Sequence, residues 1–224
     1  MRLEFKYYIP IDLGARLMEL CAKHGTLDGY GTDNKGYTIV SIYKNVWAEE
    51  KLSGKLRLRK YVSLARTSFF LEEKVRIGSC IEKNRIPLTE RQYIDLIATE
   101  QKESLQKLVN LSDLPYFSFA AHGGSFETIA ICYDRVPWQV RLNGVDFRLT
   151  LDNQVFFVNG IQKHRLIPEE VMILEVKGGE DIESVVNYFF KMYGIFPEKV
   201  SKYKLGRRQA FSLEMDIVQN SLSR

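Results

Sequence analysis

Residues 54–61 read Gly54-Lys55-Leu56-Arg57-Leu58-Arg59-Lys60-Tyr61. Successive side chains of a β-strand point to opposite faces. Lys55, Arg57, Arg59 and Tyr61 therefore share one face, and Leu56 and Leu58 the other. The same alternation returns in Leu71-Glu72-Glu73-Lys74-Val75-Arg76-Ile77, in Asp146-Phe147-Arg148-Leu149-Thr150-Leu151-Asp152 and in Leu174-Glu175-Val176-Lys177. One such strand is an ordinary solvated face. Several predict a sheet whose charged faces converge on a polyanion.

The flanking segments fill in the frame. Glu4 to Ile9 alternates and reads as a strand ended by Pro10, with Asp12 capping a helix through Leu13, Leu17 and Leu20. Tyr37 to Tyr43 is a second strand, with Tyr37, Ile39, Ser41 and Tyr43 on one side, followed by a polar connection over 47–53. Ala65-Arg66-Thr67 turns the chain between strands at 55–64 and 68–77. After Pro87, Thr89 caps a helical run through Tyr93, Leu96, Ile97, Leu105 and Leu108, and 112–124 is less regular. Strands follow at 127–134 and 139–142. Asn143-Gly144 is a two-residue hairpin turn into 145–151, and Asn159-Gly160 turns 155–158 back into 163–167. Strand 171–177 precedes Gly178-Gly179, a helix through Val185, Val186, Phe189 and Phe190 ended by Gly194, and a helical segment over 200–211.

This order predicts an α+β fold in one domain spanning 1–224, with roughly eight to ten strands joined mostly as antiparallel hairpins. A closed antiparallel β-barrel with a charged lumen and helices covering an apolar exterior satisfies both kinds of face.

Composition narrows the function. The chain has 224 residues, 45% hydrophobic and 27% charged, with a net charge of +4. That balance does not call for nucleic acid, although a groove focuses local charge. Cys21, Cys80 and Cys132 are odd in number and far apart, which argues against a disulfide framework and a zinc site. His24, His122 and His164 lack metal-ligand spacing. The charged start does not read as a signal peptide, no stretch approaches a membrane span, and there is no Walker A pattern. The expectation is a cytoplasmic chain without direct membrane insertion, its oligomeric state left open.

The ordered pieces resemble one family, the VTC domain, the polyphosphate polymerase branch of the triphosphate tunnel metalloenzyme (CYTH-like) superfamily. They are Glu4-Phe5-Lys6-Tyr7, Ser41-Ile42-Tyr43, the stretch 54–61, Phe70-Leu71-Glu72-Glu73-Lys74, Lys83-Asn84-Arg85, Tyr133-Asp134-Arg135, Phe147-Arg148-Leu149-Thr150-Leu151-Asp152, Ile173-Leu174-Glu175-Val176-Lys177 and Ser201-Lys202-Tyr203. The resemblance implies a tunnel lined with Lys and Arg that grips ATP or another triphosphate and inorganic polyphosphate, with Mn²⁺ or Mg²⁺ held by a glutamate. It assigns phosphate binding to Lys6, Arg57, Arg59, Lys74, Arg76, Lys83, Arg135, Arg148, Ser201 and Lys202, and catalysis to Arg57, Arg59, Arg135 and Lys202. Glu175 is the implied metal ligand, with Glu4 and Glu72 supporting it. Tyr133 is the implied contact for the nucleotide base, and Asp152 reads as a turn or cap residue.

Such residues suit phosphoryl transfer, which needs positioning and charge neutralisation more than a side-chain nucleophile. Arg binds two phosphate oxygens at once and Lys acts as a point charge. A strand repeats them at about 6.6–7 Å. The implied activity is transfer of phosphate from ATP to a growing polyphosphate chain. A tunnel triphosphatase and a non-catalytic polyanion binder are the alternatives.

Two departures stand out. Family members commonly follow Ser-x-Tyr with Phe-Asp-Thr, whereas here Lys44-Asn45-Val46 follows Tyr43. Arg2 stands where the hydrolase branch has its first glutamate, which favours the polymerase-like branch. A stand-alone domain of this size is expected to be the bacterial form.

Overall fold

In the computed structural model the alternation at 54–61 is realised. Leu56 and Leu58 are buried at 1% and 0% exposure on one face, while Arg57 and Arg59 lie on the other, inner face. The structure describes residues 3–29, 36–49, 52–78, 80–98, 114, 116 and 128–222. Among these are ten strands: β1 (Leu3–Pro10), β2 (Gly25–Leu27), β3 (Tyr37–Glu49), β4 (Leu52–Val62), β5 (Thr67–Ile77), β6 (Cys80–Leu88), β7 (Ile129–Leu142), β8 (Val145–Asn159), β9 (Gln162–Arg165) and β10 (Val171–Gly178). The helices are α1 (Ile11–His24), α2 (Glu90–Ala98), α3 (Ile182–Lys191) and α4 (Lys202–Leu222). No described helix is long and apolar enough to cross a membrane.

The strands form one antiparallel sheet in the order β1-β10-β8-β7-β3-β4-β5-β6, with β2 beside β7 and β9 beside β8. This corrects the expected closed barrel: the hydrogen-bonded path has two ends, β1 and β6. On the β1 side, the Lys6 carbonyl instead accepts the Glu198 N–H at 2.7 Å. The sheet nevertheless curls strongly. Lys83 of β6 lies within electrostatic reach of Glu4, Glu175 and Lys177 from β1 and β10, so the charged faces of the two edges confront each other without pairing their backbones.

Two apolar clusters cover the outer face. One packs Tyr7, Leu151, Met172, Leu174 and Val176 against Leu17 and Cys21 of α1 and Ile182, Val186 and Phe190 of α3. The other packs Leu56, Leu58, Leu71 and Val75 against Tyr93 and Leu96 of α2. The start of α2 carries a capping box: the Gln92 N–H donates to Thr89 Oγ1 and the Thr89 N–H donates to Gln92 Oε1. Leu105 and Leu108, expected to extend this helix, and most of 112–124 lie outside the described residues.

A third cluster lies on the inner face. Ile39, Ile131, Tyr133, Val155 and Ile173 meet Tyr203 at the start of α4. Gly206 permits that approach, because a Cβ there would stand 2.9 Å from both Ile129 Cγ2 and Ile131 Cδ1. The C-terminal helix thus enters the concave side of the sheet.

Several boundaries differ from the expectation. The polar connection at 47–53 is absent, since β3 and β4 stay paired out to Glu49 and Leu52. β6 lacks the alternation that marks the other strands; it is polar and mostly exposed because it is an edge, where Pro87 is tolerated. The two strands expected at 127–134 and 139–142 are one, β7, running through Pro137. Its neighbour changes there, from β3 up to Arg135 to β2 from Trp138, so the missing proline N–H falls between ladders. Strands 145–151 and 155–158 are likewise one, β8, carrying a bulge at Gln154 with φ 49°. The bulge changes the alternation, so Asp152 and Val155 both serve the inner side. Helix α1 begins directly after Pro10, which leaves Asp12 inside the first turn and not at the cap. Asn143 and Gly144 both take positive φ, as the hairpin turn requires.

Candidate functional site

Cross-strand register builds the first part of the site. Glu4 of β1 faces Lys177 of β10, and Lys6 faces Glu175. The four side chains close an alternating ring of charge. Lys6 Nζ is 2.8 Å from Glu4 Oε1 and 3.5 Å from Glu175 Oε2, and Lys177 Nζ is 3.5 Å from Glu4 Oε2 and in direct contact with Glu175 Oε1. Burial alone would raise the Glu175 pKa. The charges of Lys177, Arg135 and Lys6 outweigh it and hold the carboxyl well below its ordinary range.

The second part centres on Asp152, which is fully buried. Arg135 grips it with two hydrogen bonds, Nε to Oδ1 at 2.6 Å and Nη2 to Oδ2 at 2.7 Å, and Lys202 of α4 donates to the same Oδ2 at 2.5 Å. Burial pushes this carboxyl up, and Arg135 and Lys202 together bring it below its ordinary value. The reading of Asp152 as a turn or cap residue is thereby corrected: β8 continues past it, so its side chain projects into the inner face. The signal available in the sequence was its alternation with Arg148 and Thr150.

The third part joins β4 and β5. Arg57 donates from Nε to Glu72 Oε2 at 2.9 Å and its Nη2 lies 2.7 Å away, with Arg59 Nε at 3.5 Å. Burial works against the Glu72 charge, but Arg59 and Arg57 bring its pKa down to about 2. Arg59 also donates to three hydroxyls, Ser41 at 3.2 Å, Tyr61 at 2.9 Å and Tyr133 at 3.2 Å.

The remaining candidates divide. Lys74 and Lys83 face each other across β5 and β6. Burial, and then the neighbouring Lys83, push the Lys74 pKa down to about 8. Arg148 donates to Asp28 at 2.7 Å, at one end of the inner face. Beyond it opens a cavity of about 590 Å³ lined by His24, Thr26, Gln139, Arg141, Arg148 and Lys177. Arg76 is exposed near the end of β5, away from the paired clusters. Ser201 caps α4, its hydroxyl accepting the Lys204 N–H at 3.4 Å. Tyr133 is 3% exposed, and its ring carries the Lys202 ammonium at 4.7 Å and the Arg135 guanidinium at 5.4 Å. Its ring face is thus taken by cations.

Lys44 lies outside this site. It occupies the bulge between Tyr43 and Asn45, is buried on the outer side, and donates to the Ile97 carbonyl in the last turn of α2 at 2.6 Å. A cation there satisfies the negative end of the helix.

Among the described residues no group of three or more His, Cys, Asp or Glu is placed to hold a metal ion. Glu175 and Glu4, close enough to repel each other electrostatically, offer two carboxylates. Mg²⁺ commonly takes one or two carboxylates and completes its shell with water and substrate phosphates. The donor set fits a metal that arrives with its phosphate.

Two solved structures share only distant likeness with the chain. The PH1819 protein from Pyrococcus horikoshii OT3 is 12% identical, with 93% of this chain and 99% of that one covered at a TM-score of 0.42. A chain of the Schizosaccharomyces pombe Mediator head module is 13% identical, with coverages of 86% and 95% and a TM-score of 0.44. At these scores neither likeness bears on fold or function. No curated protein matches the chain. The family model of the VTC domain matches residues 1–211, nearly the whole length that carries the inner-face residues, and the chain belongs to the VTC domain family.

Proposed function

We propose that this protein transfers the γ-phosphate of ATP to a growing inorganic polyphosphate chain held along the inner face of the sheet. The family is associated with polyphosphate metabolism. The observation that carries the finer reading is the convergence of Lys6, Arg57, Arg59, Lys74, Lys83, Arg135, Arg148 and Lys202 on one concave face, most of them held in place by buried carboxylates or hydroxyls.

In this reading Arg57, Arg59, Arg135 and Lys202 surround the transferred group, and their carboxylate and hydroxyl partners fix their orientation beforehand. A terminal oxygen of the polyphosphate attacks the γ-phosphorus. The bond to the β–γ bridging oxygen breaks, and ADP leaves with that electron pair. The attacking oxygen is already anionic, so no side-chain base is needed. Glu175, with Glu4 beside it, would hold Mn²⁺ or Mg²⁺, which supplies charge neutralisation at the phosphate oxygens. Lys6 and Lys177 hold these carboxylates ready and neutralise them in its absence.

The test is incubation with ATP and Mn²⁺, with and without a short polyphosphate primer, resolving products by gel and phosphorus NMR. Lengthening chains with ADP release are expected. Free phosphate alone would place the protein with the triphosphatases, and polyphosphate binding without turnover would leave a binder.

A further inference from the structure

Most cations on the inner face meet an internal carboxylate: Arg57 meets Glu72, Arg135 and Lys202 meet Asp152, Lys6 and Lys177 meet Glu4 and Glu175, and Arg148 meets Asp28. One row breaks that pattern. Lys55 of β4 stands directly opposite Lys74 of β5, which stands directly opposite Lys83 of β6. Among the described residues, none of the three has a carboxylate at ion-pair distance.

Like charges directly opposite each other on neighbouring strands are unfavourable; Lys83 acts on Lys74 in this way, and further cations surround each of the three. Lys55 is crowded by Arg57, Lys204 and Lys6. Lys74 feels Lys6 and Arg57 as well as Lys83, with Glu4 opposing. Lys83 feels Lys177 and Arg57, with Glu4 and Glu175 opposing. Lys55 is nevertheless held in position. Its ammonium sits 4.1 Å from the ring centroid of Tyr203, the residue after Lys202 on α4, and that ring packs on Tyr43 at 5.0 Å. A cation over a tyrosine face is attracted by the ring quadrupole. The C-terminal helix thus fixes an ammonium group that lacks a counter-charge.

Resting on the polyphosphate reading above, we propose that Lys55, braced by Tyr203, is a phosphate-binding residue that completes a carboxylate-free row with Lys74 and Lys83, and that this row takes a condensed phosphate of three or more units. Neighbouring strands lie about 4.8 Å apart, so a linear anion of three phosphates lying across β4, β5 and β6 has the length to span all three positions.

The experiment measures tripolyphosphate affinity by calorimetry at fixed salt, using the full chain. The variants are Lys55→Gln, Lys55→Arg and the charge-matched control Lys60→Gln. Lys60 lies on the outer face of the same strand, over the Phe69 ring at 5.5 Å. Loss of one charge-assisted contact is expected to weaken binding roughly 10-fold or more in Lys55→Gln. Lys55→Arg is expected to stay within about threefold, and Lys60→Gln to match the wild type. A Lys55→Gln affinity equal to wild type, or an equal loss in Lys60→Gln, overturns the proposal while leaving the polyphosphate reading intact. Absence of tripolyphosphate binding by the wild type overturns both. Thermal melts establish that each variant is folded, and should Lys55→Gln fail to fold, Lys55→Met takes its place with the same loss expected and the same wild-type affinity overturning the proposal.

Discussion

Lys202 and Asp152 are 50 residues apart, yet the Lys202 ammonium donates to Asp152 Oδ2 at 2.5 Å, on the carboxylate that Arg135 already grips through both oxygens. The contact ties the C-terminal helix to the inner face of β7 and β8. Asp152→Asn would leave two partly buried cations short of a counter-charge, a loss on the order of 3 kcal/mol. The expected result is a large drop in melting temperature, partly restored by added polyphosphate, which supplies the missing negative charge. A melt with and without polyphosphate checks this; equal shifts in variant and wild type would show that the ligand does not approach Arg135 and Lys202.

Glu72 gives a stability that depends on pH. Its pKa is depressed in the folded state from 4.5 to about 2, so its contribution is present above pH 4.5 and is lost as pH falls through 2. At about 1.36 kcal/mol per unit, the shift corresponds to about 3 kcal/mol. Urea titrations from pH 5 to pH 2 should show stability falling across that window, with a shallower fall in Glu72→Gln.

Lys74 behaves in the opposite sense. Its folded pKa lies near 8, below the ordinary 10.5, so its charge costs stability at neutral pH and that cost is relieved as pH rises through 8. Only the charged form attracts phosphate. Affinity for long-chain polyphosphate should therefore fall between pH 7 and 9.5, and the fall should flatten in Lys74→Arg. Lys74→Met should bind weakly yet melt higher; relief of about 1 kcal/mol would be a rise of roughly 2–4 °C. A lower melting temperature would show that Lys74 contributes packing or pairing that outweighs its electrostatic cost.

Glu175→Gln keeps the shape of the side chain and removes its charge. Divalent-metal dependence of phosphate transfer should shift to roughly 10-fold higher Mn²⁺ concentration or turnover should vanish, while polyphosphate binding without metal persists. Unchanged metal dependence would remove Glu175 from that role.

Lys44→Met tests the departure at Lys44-Asn45-Val46. The lysine satisfies the end of α2 from the outer side, so the variant should lose about 1 kcal/mol of stability and keep full phosphate-transfer activity. A loss of activity at unchanged stability would connect this position to the inner face after all.

The alternation of Arg57 and Arg59 with buried leucines made the sheet and its charged face legible, because period two is a local property. The Asn143-Gly144 turn was legible for the same reason. Continuity through Pro137 was not, since it depends on β2 and β3 meeting β7 on either side of that residue. Nor was the place of Asp152, which a bulge at Gln154 keeps within a longer strand. Closure of the sheet is equally non-local: alternation along the chain marks β1 and leaves β6 unmarked, and only the curl of the whole sheet decides that their edges approach without pairing. The candidate cations could be named singly, and Lys177 with Glu175 as a pair on one face, but the partners of Arg57, Arg135, Arg148 and Lys202 emerged only from register and from the reach of α4.

Those partners have a further consequence for ligand choice. A single orthophosphate arriving at the inner face can replace one carboxylate and must leave the rest of the lattice as it was. A chain of phosphates replaces several at once, and each unit bound raises the local concentration of the next. In the polyphosphate reading, exchange of partners would be a collective step, and the length of the anion would set how many internal carboxylates are displaced together.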